Sequence, residues 1–316
     1  MSEKIKKIVA EIKNQLQPLG AKGTAHSATW YLQHYGLDLA NETIEHQFGT
    51  FKSGDFTLCG QIFKHKEYKA TVVIVHGYTA HSGLLGKLIK ELLNGGFAVC
   101  CFDLPGHGLS GGEPAAIDNF SQYGDCLSDF LNTVKPHIRS PHHIIGHSTG
   151  GAIIIDYLLS GRNDCFDKVI LAAPLVRSEL WKISKIGFSI CRPFCNSLPR
   201  VFRKISSDKD FLTFIKYQDP LSAKKFSIKW VDAMFEWNEK IAGAKTIERP
   251  MLVIQGSKDN IIDWRHNIRF IQSKFKNSRI ELVENARHEL FNESQQYRDK
   301  VFSLIGEYLV KTEFKE

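Results

Sequence analysis

Residues 142–159 read HHIIGHSTGGAIIIDYLL and hold the strongest structural signal in the chain. His143–Gly146 is a short apolar run typical of a buried strand, and Ala152–Leu159 has the pattern of a helix. Between them, Gly146-His147-Ser148-Thr149-Gly150 fits G-x-S-x-G. The pattern alone is weak, but a strand–turn–helix setting is the context in which it presents a serine hydroxyl on a sharp turn. Ser148 is therefore the candidate nucleophile, and the alternative is a plain glycine-rich turn.

The alternation of strands and helices extends to both sides of this stretch. Further strands are predicted at Val72–Val75, Phe97–Phe102, Lys168–Ala172, Met251–Gln255 and Arg279–Val283. Further helices are predicted at Leu84–Leu93, Phe120–Val134, Trp264–Phe275 and Val301–Val310. This order indicates an α/β fold with a mostly parallel sheet and helices on both faces. Phe48–Phe63 alternates like an antiparallel hairpin, and we expect it at the edge of that sheet.

The alternation stops between residues 177 and 249, where aromatic residues are frequent. We predict an inserted helical cap, or lid, at 177–249. It divides a core made of residues 46–176 and 250–316, and residues 1–45 form an N-terminal helical extension. The cap contains 15 Lys/Arg and 8 Asp/Glu, so it carries the whole net charge of +7.

A serine hydroxyl is a poor nucleophile until a base takes its proton. When the nucleophile lies on such a turn, its partners follow along the chain in the order acid, then histidine. Of the 13 histidines only His266 and His288 follow Ser148. His266 lies early in a predicted helix, whereas His288 lies in the loop after the last strand. His288 is the candidate general base, and the alternative is an ordinary surface histidine.

The acid is expected in the loop after the strand Met251–Gln255. Asp259 lies there, in Gly256-Ser257-Lys258-Asp259-Asn260, and it would orient the histidine and stabilise its imidazolium form. Asp263 is the competing carboxylate, and Glu284 precedes His288 too closely. Asp259 is the preferred candidate.

An oxyanion hole needs two N–H groups aimed at the developing negative charge. Thr149, which follows the nucleophile, is expected to supply one backbone N–H. Tyr78, in the loop after Val72–Val75, is expected to supply the other. We interpret His76 and His107, in the same region of the fold, as structural hydrogen-bonding residues.

Several short motifs together resemble a known family. They are Val75-His76-Gly77, His81-Ser82-Gly83, Asp103-Leu104-Pro105-Gly106-His107-Gly108-Leu109-Ser110, Gly146–Gly151, Gly256–Asp259 and Arg287–Glu293. The sequence is similar to the monoglyceride-lipase and lysophospholipase branch of the α/β-hydrolases, also called serine aminopeptidase-like, from about residue 48 to 310. The resemblance implies Ser148, Asp259 and His288 as the triad, with Tyr78 and Thr149 in the oxyanion hole.

Three functions follow from these observations. The favoured one is hydrolysis of a small-molecule ester or lipid, such as a lysophospholipid or monoacylglycerol, through an acyl-enzyme intermediate. The second uses the same triad as a peptidase, thioesterase or acyltransferase, although a basic cap disfavours binding of a peptide amine. The third is a binding protein without turnover. No cofactor, metal or nucleic-acid partner is expected.

The cellular location is expected to be cytoplasmic. The N-terminal residues lack the pattern of a signal peptide, and no apolar run is long enough to span a bilayer. The seven cysteines are irregularly spaced, which does not indicate a disulfide framework. Cys191 and Cys195 have no further cysteine or histidine nearby to complete a zinc site.

A peripheral contact with the inner membrane surface is a further hypothesis. Residues 181–204 contain six Lys/Arg, no acid, and interleaved aromatic and aliphatic residues. These are features of segments that bind anionic membranes. The apolar positions of the N-terminal helix, flanked by lysines, would add a second contact. The alternative, left open here, is that the apolar residues of the cap cover the acyl pocket and its charges face water.

Overall fold

The structure, a computed structural model, describes residues 3–21 and 28–311. The helices are α1 Glu3–Gln15, α2 Thr29–Tyr35, α3 Gly86–Asn94, α4 Gln122–Val134, α5 Thr149–Leu159, α6 Trp181–Cys191, α7 Lys209–Thr213, α8 Ile228–Ala242, α9 Trp264–Lys274 and α10 Gln295–Val310. The strands are β1 Ile44–Ser53, β2 Phe56–His65, β3 Thr71–Val75, β4 Ala98–Phe102, β5 His142–His147, β6 Lys168–Ala172, β7 Ser197–Pro199, β8 Lys225–Ser227, β9 Met251–Gly256 and β10 Ser278–Val283. Residues 1–2, 22–27 and 312–316, which belong to the predicted extension and core, lie outside the described residues.

Eight strands form one sheet in the order β1-β2-β4-β3-β5-β6-β9-β10. Six neighbouring strands of this sheet are parallel, namely β4, β3, β5, β6, β9 and β10. Strands β1 and β2 form an antiparallel hairpin at one edge, and β2 pairs antiparallel with β4. Strands β3, β4, β6 and β9 are buried along their whole length, as expected for parallel strands covered on both faces. The predicted fold class and edge hairpin are confirmed.

The direction in which the chain moves along the sheet fixes the side on which each helix lies. After β3 the chain moves toward β2, whereas after β4, β5 and β9 it moves the other way. Because such crossovers are right-handed, α3 lies on one face and α4, α5 and α9 lie on the other. The carboxyl ends of β3 and β5 therefore flank the point where the order reverses, which is where open α/β sheets bind ligands.

The segment 177–249 connects β6 to β9, and we call it the insert. It contains α6, α7, α8 and a small antiparallel sheet of β7 and β8, which the sequence did not predict. Two buried hydrogen bonds help to fasten helix α8 to the rest of the molecule. The indole N–H of Trp237 donates to Asp156 over 3.1 Å, and the Asn238 amide donates to the carbonyl oxygen of Val176 over 2.9 Å.

Helix α1 packs its apolar side against the main core. Ile12 and Leu16 are buried, and Ile8 and Val9 are partly buried against the same cluster. The residues predicted to offer a second membrane contact are thus used to join this helix to the core, so that part of the membrane hypothesis is not supported by the packing.

Candidate active site

Ser148 lies on the turn between β5 and α5 in a backbone conformation that few residues adopt. Its φ is 51° and its ψ is −113°, so the turn carries strain of a kind common at functional sites. The flanking glycines make this turn possible. A β-carbon at Gly150 would lie 2.1 Å from the carbonyl oxygen of Val75, and one at Gly146 would lie 2.5 Å from that of Gly150. Both glycines of G-x-S-x-G are thus required by close backbone contacts.

The structure brings the three predicted triad residues into hydrogen-bond contact. Nε2 of His288 lies 3.0 Å from Oγ of Ser148, and Nδ1 of His288 lies 2.7 Å from Oδ2 of Asp259. All three side chains are buried. In this geometry Nδ1 carries a hydrogen atom and donates a hydrogen bond to the carboxylate. Nε2 then has no hydrogen and can accept the serine proton.

Asp259 is held as a carboxylate by several donors. Oδ1 accepts from the Ile261 N–H over 2.8 Å, and Oδ2 accepts from the Gln255 amide over 3.1 Å. Burial alone would raise the pKa of Asp259, but the charge and hydrogen bond of His288, together with these donors, bring that pKa below its usual value. Burial would lower the pKa of His288, whereas the charge of Asp259 outweighs it and raises that pKa above its usual value.

The competing residues have other contacts. Asp263 caps α9, because its Oδ1 accepts the N–H of His266 over 3.1 Å. His266 lies in the first turn of that helix, and Glu284 is exposed in the turn after β10. Across the described residues, no hydrogen bond joins Asp263, His266 or Glu284 to the side chains of Ser148 or His288.

The two predicted oxyanion donors lie beside Ser148. Thr149 is the first residue of α5, so its N–H has no acceptor within the helix. Tyr78 follows Gly77, whose Cα hydrogen faces Ser148 so closely that a β-carbon there would lie 3.1 Å from the serine Cβ. Within the described chain the Tyr78 N–H has no protein acceptor, and Tyr78 and Thr149 both border the same cavity as Ser148.

His76 and His107 make structural hydrogen bonds. Nδ1 of His76 donates to the carbonyl oxygen of Gly77, and its Nε2 accepts from the Leu104 N–H over 3.0 Å. Nδ1 of His107 donates to the carbonyl oxygen of Pro105. Burial lowers the pKa of each imidazole to about 3, so both stay neutral near pH 7.

Two residues that support the histidine loop were missed by the sequence analysis. Nε2 of His147 donates to the carbonyl oxygen of His288 over 3.0 Å. The buried carboxylate of Glu293 accepts the N–H of Arg287 over 2.6 Å and that of Ser207 over 2.7 Å. His147 lies inside the G-x-S-x-G motif and Glu293 ends the Arg287–Glu293 motif, but neither motif indicates which backbone groups these side chains contact.

A cavity of about 350 Å³ opens at Ser148 between the sheet and the insert. Its walls are mainly apolar, with Leu175 and Ile262 from the core and Trp181, Phe202, Trp230 and Phe235 from the insert. Four charged residues also border it, namely Glu179, Arg200, Arg203 and Glu289.

The side chain of Tyr78 joins the insert to the core. Its ring stacks on Trp230 with 3.6 Å between centroids, and its hydroxyl donates to the carbonyl oxygen of Ala115 over 2.7 Å and accepts the Ser227 N–H over 2.9 Å. We expect Tyr78→Phe to lower the free energy of unfolding by about 1–3 kcal/mol, because two backbone groups lose their partner. Turnover of a small ester should change little, because the Tyr78 N–H is retained.

Urea unfolding and ester kinetics on the same preparation measure both effects. Tyr217→Phe is the matched control, because the Tyr217 side chain is largely exposed. Unchanged stability with a strong loss of turnover would show that the Tyr78 hydroxyl takes part in the reaction and is not a bridge.

The chain is similar in sequence to several known proteins. The family model described as serine aminopeptidase, S33, matches residues 66–295. A monoglyceride lipase homolog of Monkeypox virus is 26% identical over 76% of this chain and 89% of its own length. Phospholipase YtpA of Bacillus subtilis is 24% identical over 74% of this chain and 92% of its own.

The fold is also found among solved structures. A soluble variant of monoglyceride lipase from Saccharomyces cerevisiae, in complex with a substrate analog, superposes with a TM-score of 0.72 at 20% identity. The match covers 86% of this chain and 97% of the yeast chain.

Proposed function

The chain belongs to the serine aminopeptidase S33 family of α/β-hydrolases and is a serine ester hydrolase, and from this premise we propose that it cleaves monoacyl lipids with Ser148, His288 and Asp259. The observation that carries the proposal is the connected Ser148–His288–Asp259 hydrogen-bond chain at the floor of a mainly apolar cavity. Relatives named as monoglyceride lipase and phospholipase support the substrate class.

The proposed reaction has two halves. Nε2 of His288 takes the proton of Ser148 as Oγ attacks the ester carbonyl carbon, and the N–H groups of Tyr78 and Thr149 receive the oxyanion. The imidazolium then gives its proton to the alcohol oxygen, which leaves. In the second half His288 takes a proton from water and the water oxygen attacks the acyl carbon. The bond from that carbon to Oγ of Ser148 then breaks, the imidazolium returns its proton to Oγ, and the fatty acid leaves.

The cavity suits one acyl chain. Its volume of about 350 Å³ lies in the range of small-ligand sites, and its aromatic walls exclude water from an acyl group. Burial of each methylene of that chain contributes about 0.8 kcal/mol. We propose that the insert acts as the cap of this cavity and that residues 46–176 and 250–316 form the catalytic core.

A peptidase is the second candidate, because the carboxylates of Glu179 and Glu289 border the cavity and an amine needs such a partner. The test is a panel of p-nitrophenyl esters, monoacylglycerols, lysophospholipids and aminoacyl anilides on one preparation. We expect the highest kcat/KM for the monoacyl lipids. A higher kcat/KM for the aminoacyl anilides would exclude the lipid proposal in favour of the peptidase.

We also propose that the outer side of the insert docks on an anionic lipid surface. Ile183, Ile186 and Ile190 follow one side of α6 and are each more than 60% exposed, and Phe194 beyond the helix is 86% exposed. The other side of α6 packs inward through Phe188. Both interpretations of these apolar residues thus have support, since one side of α6 faces the protein and the other faces solvent.

The charges around this surface differ from the sequence expectation. Lys185 pairs with Glu239 and Arg192 pairs with Asp232, both of α8, so the positive charge of residues 181–204 is partly neutralised by residues distant in sequence. The apolar side of α6 therefore carries most of the proposed docking. Among the described helices none has the length and apolar character that crossing a bilayer requires.

We expect the wild-type protein to pellet with phosphatidylglycerol vesicles at low salt, and less so at high salt because salt screens surface charge. A variant with Ile186→Ser, Ile190→Ser and Phe194→Ser should stay in the supernatant under both conditions, because it lacks most of the apolar contact. Its turnover of a water-soluble ester should be retained, since none of the three residues borders the cavity.

The matched control is Val310→Ser, which changes an exposed apolar residue of α10. Wild-type protein that fails to pellet at low salt would contradict membrane docking. The insert would then serve only to cover the cavity.

A further inference from the structure

The basic residues of the insert differ in whether a carboxylate lies close to them. Five of them pair with carboxylates, in the pairs Lys185–Glu239, Arg192–Asp232, Lys229–Glu113, Lys240–Asp156 and Arg249–Asp164. The two that border the active-site cavity, Arg200 and Arg203, have no carboxylate within ion-pair distance among the described residues. The two guanidinium groups at the cavity thus lack the carboxylate partner that these five residues have.

The guanidinium of Arg200 is only weakly engaged by the protein. Its Nη1 donates to the carbonyl oxygen of Ala223 over 3.4 Å, and its Cζ lies 5.1 Å from the centre of the Phe202 ring. The residue is half-buried, and burial lowers the pKa of this guanidinium, while Glu289 and Asp219 oppose that effect at longer range. A partly desolvated cation with free N–H groups gains free energy from an anionic ligand.

Arg203 lies closer to the catalytic loop. Its Nη1 donates to the carbonyl oxygen of Asn260 over 3.0 Å, and Asn260 follows Asp259 in sequence. This single bond leaves the remaining N–H groups of the guanidinium for other acceptors. Arg200 and Arg203 therefore approach the cavity from the same loop, which begins directly after β7.

Two carboxylates also border the cavity, and their positions leave the arginines available. Glu289 follows His288 in sequence and forms no ion pair with Arg200. The charge of its carboxylate therefore acts on the Arg200 guanidinium only at longer range. Glu179 is exposed and also borders a second groove together with Arg265 and Arg287. An anion held by the arginines would thus lie on the insert side of the cavity.

We propose that Arg200 and Arg203 bind the phosphate in the alcohol part of the substrate, so that the enzyme prefers lysophospholipids to monoacylglycerols. This inference rests on the proposed function, since it assumes a monoacyl lipid in the cavity. The planar guanidinium matches two phosphate oxygens at once, which a neutral glycerol headgroup does not offer.

The test compares monooctanoylglycerol with monooctanoylglycerol phosphate, both in monomeric solution so that vesicle binding plays no part. We expect the wild-type kcat/KM to be about tenfold or more higher for the phosphate lipid, the size of a charged hydrogen bond. Arg200→Gln and Arg203→Gln should each reduce this ratio. Glu289→Gln should raise this ratio, because it removes a carboxylate that has the same sign of charge as the phosphate.

Lys229→Gln is the matched control, because Lys229 lies on the same insert but pairs with Glu113 outside the cavity. Its ratio should equal that of the wild type. A second arm measures inhibition of a p-nitrophenyl ester by inorganic phosphate. Phosphate inhibition that depends on Arg200, with no preference between the two lipids, would indicate a site for free phosphate and overturn the headgroup assignment.

The remaining outcomes are also distinct. If the p-nitrophenyl ester is cleaved but neither lipid is, the proposed function itself fails. If both lipids are cleaved and Arg200→Gln and Arg203→Gln leave the ratio unchanged, only the inference fails. If Arg200→Gln does not fold, the inference is tested by the lipid ratio of the wild type and that of Arg203→Gln. A wild-type preference for the neutral lipid contradicts the inference directly.

Discussion

Ser148→Ala is expected to lower ester kcat by about five to six orders of magnitude, because the members of a triad act as a unit. The protein should remain folded. Alanine keeps the β-carbon, so the substitution adds no strain to the turn at φ 51°. Among residues 3–21 and 28–311, the only partner that loses a side-chain hydrogen bond is His288. Ester kinetics and thermal unfolding of the same variant measure the two effects.

A fluorophosphonate probe separates nucleophilicity from binding. It should label the wild-type protein at Ser148 and label His288→Ala only very slowly, because no base then takes the serine proton. Labelling of His288→Ala at the wild-type rate would remove His288 from the proposed mechanism. Labelling of Ser148→Ala at another serine would show that the nucleophile is misassigned.

Asp259→Asn is expected to lower kcat on the order of a thousandfold or more, because an amide in place of the carboxylate favours the wrong tautomer of His288. The pH profile supplies a second readout. His288 acts as a base only when neutral, and the charge of Asp259 raises its pKa above the usual value. With that charge removed, the pKa of His288 falls and the acidic limb of the residual activity moves to lower pH.

The control for this prediction is Asp263→Asn. Asp263 caps α9, and asparagine caps a helix about as well as aspartate, so both stability and turnover should be nearly unchanged. A large loss of activity in Asp263→Asn with little effect of Asp259→Asn would show that the other carboxylate orients the histidine.

Much of the core was predictable because its signals are local. The strands β3, β5 and β6 are short apolar runs, and G-x-S-x-G lies between a strand and a helix, so the fold and the location of Ser148 follow from neighbouring residues. Asp259 and His288 are predictable from their positions after two successive strands, β9 and β10. Parallel strands end at one edge of the sheet, and the structure brings both residues to Ser148 there.

The insert was less predictable because its contacts are long-range. Strands β7 and β8 have three residues each, too few for a periodic pattern, and they pair across about thirty positions. The acids that neutralise Lys185 and Arg192 lie on α8, so segment composition alone suggested unopposed charge. A helical pattern shows that Ile186 and Phe188 point to different sides of α6 but not which side meets the protein.

The contacts of Tyr78 with the insert would affect a chimera in which the insert comes from a related enzyme. The N–H of this residue is a proposed oxyanion donor, and its ring and hydroxyl contact Trp230 and Ser227 of the insert. An insert transplanted from another enzyme would therefore replace the support of the proposed oxyanion donor along with the walls of the cavity. Unlike Tyr78→Phe, such a chimera would also lose the stacking of the Tyr78 ring on Trp230, and we expect it to show altered kcat even toward an ester too small to touch the insert.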